Sequence, residues 1–128
     1  MSISDLDILL KNLEPILDAE EYVFCTVNDE LQNYLEFKPL ATFIEKEGLT
    51  LVLTKQQAQR LGACTNSIFK NITLSVYSSL NAVGLTAAIS TALAQNGISA
   101  NVIAAYHHDH IFVPSEKAHL ALDILKAL

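Results

Sequence analysis

Apolar and polar positions follow two rhythms along this chain, one close to four residues and one of two. Leu6, Leu9, Leu10 and Leu13 recur at helical spacing and give one apolar stripe. Ser4 is placed to cap this helix, with Asp7 three residues on, and Pro15 stops it near Glu14. Tyr22-Val23-Phe24-Cys25-Thr26-Val27 is rich in β-branched and aromatic residues and reads as a strand. Residues 28–40 are polar and mixed and assign no element, though the spacing of Leu31, Tyr34 and Leu35 is compatible with one helical turn. Two strands follow, 41–46 and 49–54, joined as a hairpin at Glu47-Gly48. Thr54 and Gln57 form a capping box, Ala58 and Leu61 mark the inner side of a short helix, and Gly62 ends it.

The second half of the chain turns on residues 71–108, where no Asp, Glu, Lys or Arg occurs. A strand-like run, 72–77, leads to a polar turn, 78–81, and then Gly84. Leu85, Ala88, Ile89, Ala92 and Leu93 predict one core face of a helix over 84–95, stopped by Asn96-Gly97. Its other face, Thr86, Ala87, Ser90, Thr91 and Ala94, is small and uncharged. It reads either as a contact surface or as a plain exposed helix face. Strands are expected at 98–106 and 111–113, around the cluster His107-His108-Asp109-His110. Pro114-Ser115 opens the last helix, with Ala118, Ala121, Leu122, Leu125 and Leu128 facing inward.

These halves repeat. Leu51-Val52-Leu53-Thr54 aligns with Ile111-Phe112-Val113-Pro114 at a shift of 60 positions (111 − 51), and the same shift places Ala58 on Ala118. Upstream, a residue gained in the turn aligns Ala41 and Ile44 with Ala100 and Ile103. The first copy has no room for the long helix of the second. The expected division is therefore 1–65, a divergent half carrying the N-terminal helix, and 66–128, a more typical half. Neither half buries its own apolar face well, so the two are expected to share a core.

Composition narrows the function. The 128 residues are half hydrophobic and carry a formal net charge of −6, with lysines and arginines scattered. Nucleic acid and anionic membrane surfaces call for basic patches, so neither is an expected partner. The N-terminus lacks the basic region of a signal peptide, and no apolar run reaches the roughly 20 residues that span a bilayer. Cys25 and Cys64 lie far apart without a CxxC spacing, which fits reduced thiols and a cytoplasmic protein.

Three places invite chemistry. The turn 78–84 opens a helix, whose N-terminal N–H groups and dipole favour an anion. The plainer reading is that Ser79 or Asn81 only caps the helix. His107, His108, Asp109 and His110 are all possible metal ligands, but strand side chains alternate, so at most two reach one site and no metal is expected. Cys25 sits in an apolar run, where thiols are usually inert. No GxSxG, P-loop or GxGxxG occurs, and neither catalysis nor a cofactor is expected.

Val83-Gly84-Leu85-Thr86-Ala87-Ala88-Ile89, Leu93-Ala94-Gln95-Asn96-Gly97-Ile98 and Asp109-His110-Ile111-Phe112-Val113 resemble the ACT domain. The match is good over 72–113 and weaker over the first half. The resemblance implies an α+β fold of two ferredoxin-like subdomains, with mainly antiparallel sheet and helices packed on one face. It also implies a non-catalytic regulatory module that binds a small molecule, an amino acid above all, and acts through assembly or partner docking; the uncharged run 71–108 and the small-residue face of the helix over 84–95 point to a homodimer. The expected ligand-binding set is Ser79, Asn81, Val83, Gly84, Leu85, Thr86, Asn101 and Asp109, with Asp109 facing the ligand's ammonium group. Only the second half keeps the ligand loop. The alternatives are a purely structural ACT-like domain and a His-dependent metal protein or enzyme.

Overall fold

The computed structural model describes residues 5–75 and 84–128. The Ser4 cap, the turn 78–81 and the strand end at Val76 and Tyr77 lie outside the described residues. The elements are α1 (Asp5–Lys11), β1 (Pro15–Val27), a 3-10 helix (Leu31–Phe37), β2 (Ala41–Ile44), β3 (Leu49–Thr54), α2 (Lys55–Leu61), β4 (Phe69–Leu74), α3 (Leu85–Gln95), β5 (Asn101–Ala104) and β6 (Asp109–Pro114). A 3-10 turn (Ser115–Lys117) then leads into α4 (Ala118–Lys126). The fold is α+β, and its sheet pairing is antiparallel.

Two compact units emerge from the contacts. One joins Met1–Ala19 to Lys70–Leu128, and the other is Glu20–Phe69. The first unit has the strand order β1-β4-β6-β5, with β1 contributing its N-terminal part. That part supplies the strand beside β4. Glu14 C=O accepts from Ser75 N–H at 3.0 Å, and Ala19 C=O accepts from the Lys70 ammonium at 3.4 Å. Sequence reading starts this strand at Tyr22, because Asp18, Glu20 and Glu21 break the apolar pattern. Here strand pairing overrides side-chain propensity. Pro15 is tolerated as the first strand residue.

The core of this unit lies on one face of its strands. Ile72 and Leu74 of β4 and Ile111 and Val113 of β6 pack under Leu85, Ile89 and Leu93 of α3 and Ala118, Ala121 and Leu125 of α4. Leu6, Leu9, Leu10 and Leu13 of the N-terminal segment pack on the same cluster, and α1 touches α3. The N-terminal helix therefore packs with elements from the second half of the sequence. Leu128, expected inward, is 40 % exposed, since α4 has ended before it.

The second unit has the order β2-β3-β1, with β1 contributing its C-terminal part. Val23, Leu49, Leu51, Leu53, Ala58 and Phe37 form its core. The 3-10 helix stands where the longer helix would be, and Phe37 is its inward anchor. Arg60 lies over the Phe37 ring at 4.7 Å and pairs with Glu36 at 2.9 Å, both partners being exposed.

The repeat is stricter than the sequence alignment suggests. Ala41 pairs with Val52 as Asn101 pairs with Phe112, and Ile44 pairs with Leu49 as Ala104 pairs with Asp109. Both hairpins obey one shift of 60, with no residue gained in the turn. The turn bond repeats too: Glu45 N–H donates to Gly48 C=O at 3.0 Å, and Ala105 N–H to His108 C=O at 3.1 Å. Two helix stops, of elements that are not equivalent in the repeat, close in the same way. Ala63 N–H bonds Ala58 C=O and Ile98 N–H bonds Leu93 C=O, each past a glycine of positive φ, Gly62 and Gly97. These are Schellman closures. The second carries Ile98 into the core outside any strand, so β5 starts at Asn101 rather than at 98.

Candidate functional site

Period-2 alternation decides what each strand of the first unit offers. Ile72 and Leu74 point to the helices, so Asn71 and Thr73 face the other way. On β6, His110 faces opposite to Ile111 and Val113. Thr73 and His110 meet across the β4–β6 boundary, Oγ1 to Nδ1, at 3.1 Å. This contact fixes the geometry of one end of the unit. β4 leaves it after Leu74, and β6 enters it at Asp109.

The same end receives the start of α3. Lys117, just past the far end of β6, donates to Gly97 C=O at 3.0 Å. The C-terminus of α3 is thereby held at the Pro114 end, and its N-terminus at the Asp109 end. Gly84, Leu85, Thr86 and Asp109 thus share one end of the unit. Asn101 does not. It pairs with Phe112, three ladder positions from the Ala104–Asp109 pair, or about 10 Å at strand spacing. Its side-chain amide donates to Phe112 C=O at 3.3 Å. Ser79, Asn81 and Val83 lie outside the described residues.

Within the group, roles differ. Gly84 precedes α3 with φ 96°, and its carbonyl accepts from Ala88 N–H at 2.9 Å. Leu85 is buried in the core, so only its backbone is on offer, whereas Thr86 is exposed. The open side of Gly84 faces α1: a Cβ there would lie 3.2 Å from Leu6 Cδ2. Leu6 of α1 is thus the side chain that lies against Gly84. The first N–H groups of α3 have no partner within the helix, and such groups suit an anion.

Asp109 is half-buried at the head of β6, beside His108 and His110. Burial pushes the His110 imidazole below its ordinary pKa of 6.5, His108 adds to that, and Asp109 opposes it. His110 Nδ1 also lies 3.3 Å from Asn71 Nδ2. Sequence reading passed over Asn71 and Thr73. Their only signal is two polar residues alternating with the core residues Ile72 and Leu74. Among the described residues, no group of three His, Cys, Asp or Glu is placed to hold a metal ion. The Cys25 thiol is half-buried, and burial raises its pKa.

The second unit has a cleft of about 600 Å³ at the equivalent end, lined by Val27, Asp29, Glu30, Ile44, Glu45 and Leu49, among others. Leu49 stands where the other hairpin has Asp109. Asp29 is engaged with Glu30 N–H at 2.7 Å and the Asn33 amide at 2.8 Å, and Glu45 with the Thr50 hydroxyl at 2.5 Å. The hairpin turn closes tightly here, since a Cβ on Gly48 would meet Thr26 Oγ1 at 2.8 Å.

Comparison with known proteins sets this architecture in a family. A protein of unknown function from Vibrio cholerae, described as a possible transport protein, is 56 % identical. The match covers 95 % of this chain and 94 % of that one, with a TM-score of 0.89. The regulatory subunit of aspartate kinase from Thermus thermophilus, in its ligand-free form, has the same fold at 13 % identity and a TM-score of 0.65. That match covers 88 % of this chain and 95 % of that one. Atu0741 from Agrobacterium tumefaciens also shares the fold, at 12 % identity and a TM-score of 0.65, over 90 % of this chain and 87 % of that one. No functionally curated protein matches the chain. The ACT-domain pattern matches residues 1–70 and again residues 69–127. The chain belongs to the ACT-domain family, with two such domains in tandem.

Proposed function

We propose that this protein is a non-catalytic regulatory module of the cytoplasm that binds a free amino acid and signals as a homodimer or by docking to a partner. ACT domains are typically regulatory, ligand-binding modules, and the aspartate kinase neighbour is a regulatory subunit. What supports the reading is that Asp109 and the start of α3 lie at the same end of the first unit. A free amino acid is a zwitterion and needs a donor end and an acceptor end. The first N–H groups of α3 suit its carboxylate, and the Asp109 carboxylate suits its ammonium. Ser79, Asn81 and Val83 complete the proposed ligand loop in sequence, while Asn101 belongs to the opposite end.

A thermal-shift screen against the twenty amino acids tests this. A ligand at a hundred times its Kd stabilises the protein by about 2.7 kcal/mol, which a melting curve resolves. A flat screen at millimolar concentrations contradicts the reading and favours a structural ACT pair.

The cleft of the other unit supports a second location for the same ligand class. It is an open concavity lined by acidic and apolar residues together with Lys46, although Leu49 replaces the carboxylate. Asp109→Asn and Glu45→Gln separate the two: the variant that loses the thermal shift marks the site.

A further inference from the structure

Asn71 is the one described polar residue that is fully buried, at 3 % exposure, and its Oδ1 has no hydrogen-bond partner. Its Nδ2 sits in a triangle with His110 Nδ1 at 3.3 Å and Thr73 Oγ1 at 3.5 Å, closed by the 3.1 Å contact between Thr73 and His110. With Nδ2 donating, His110 Nδ1 must accept, which requires the neutral ring with its proton on Nε2. A buried carbonyl left unpaired is costly, so this arrangement persists only because the imidazole lone pair uses the other end of the amide.

Protonation at Nδ1 reverses the roles. An Nδ1–H facing the Asn71 NH2 sets donor against donor. Rotating the amide by half a turn brings Oδ1 into the triangle. There it accepts from Nδ1–H, or from the Thr73 hydroxyl while that oxygen accepts the imidazole proton. The unpaired position then passes from the carbonyl to the NH2. Each protonation state thus selects one amide orientation, with one unpaired end in either case. Among the described residues, the groups near the His110 ring are the uncharged Asn71 and Thr73 on β4, Ile103 paired with it on β5, and His108 and Asp109 on its own segment. Asp109 favours the proton, and His108 opposes it.

We propose that Asn71, Thr73 and His110 form a proton-linked switch between β4 and β6, in which taking up a proton at His110 Nδ1 turns the Asn71 amide over. Resting on the ligand reading above, the switch would place a positive charge beside Asp109 at acid pH and weaken its hold on an ammonium group. The switch itself needs no ligand and is tested on the free protein.

The test follows the His110 ring nitrogens and the Asn71 side-chain NH2 by 15N NMR from pH 8 to pH 5. The expected result is one shared midpoint below 6.5, with neutral His110 in the Nε2–H form. An Asn71 amide that stays constant while His110 titrates overturns the proposal, as does an Nδ1–H tautomer at pH 8. Asn71→Asp supplies a fixed acceptor and is expected to move the His110 midpoint above 6.5, and an unchanged midpoint counts against the proposed contact. The wild-type titration decides alone where that variant does not fold.

Discussion

Leu6 fills the space that a side chain on Gly84 would need, with its Cδ2 placed 3.2 Å from an added Cβ. The N-terminal helix and the start of α3 are therefore fitted to each other. Gly84→Ala adds a left-handed backbone penalty at φ 96° and a tight contact from which Leu6 must shift by a few tenths of an ångström. The expected loss is about 1–3 kcal/mol in urea denaturation. In a Leu6→Ala background the tight contact is gone and only the backbone share remains, so the same substitution costs less there. Equal costs in both backgrounds contradict the contact.

Thr54 Oγ1 accepts from Gln57 N–H at 3.2 Å at the start of α2. Thr54→Ala leaves that N–H without its cap and is expected to cost about 1 kcal/mol. The measurement is the chemical denaturation midpoint. Pro114, the equivalent residue 60 positions on, has no side-chain acceptor to offer, so Pro114→Ala carries no loss of this kind.

The pH dependence of stability has a defined sign at His110. Its folded pKa lies below the ordinary 6.5, so the unfolded chain binds the proton more readily. The corresponding stability is fully present above 6.5 and is lost as pH falls through 6.5 towards the lowered folded value. Replacing His110 by Gln is expected to flatten the melting temperature between pH 7 and the onset of carboxylate protonation. An unchanged slope contradicts the assignment.

The two thiols differ in exposure. Cys64 is exposed, whereas Cys25 is half-buried with its pKa raised by burial. A thiol reagent at neutral pH is expected to label Cys64 first and Cys25 slowly, since the thiolate is the reacting form. Cys64→Ser should leave only the slow phase.

The repeat was legible because Leu51, Leu53, Ile111 and Val113 keep core periodicity in both copies. The false gap at the turn arose from matching Ala41 to Ala100 by residue type, when the register pairs Ala41 as it pairs Asn101. The first part of β1 was hidden by Asp18, Glu20 and Glu21, whose strand state comes from neighbours distant in sequence. At the site, Gly84 and Asp109 stood out as a helix opener and the lone carboxylate of the cluster. Leu6 over Gly84 is a tertiary contact with no local trace. Asn71 and Thr73 read as ordinary strand residues until His110 is placed beside them. Asn101 was grouped with the loop, yet the ladder carries it to the other end.

The most direct test of the central claim is calorimetry with the amino acid that gives the largest thermal shift, on wild type and Asp109→Asn. Removing one charge-assisted contact costs about 1.5–3 kcal/mol, so affinity should fall about ten- to a hundred-fold while the melting temperature of the free protein holds. Equal affinity in both proteins would contradict a pocket built on Asp109 and the α3 N-terminus.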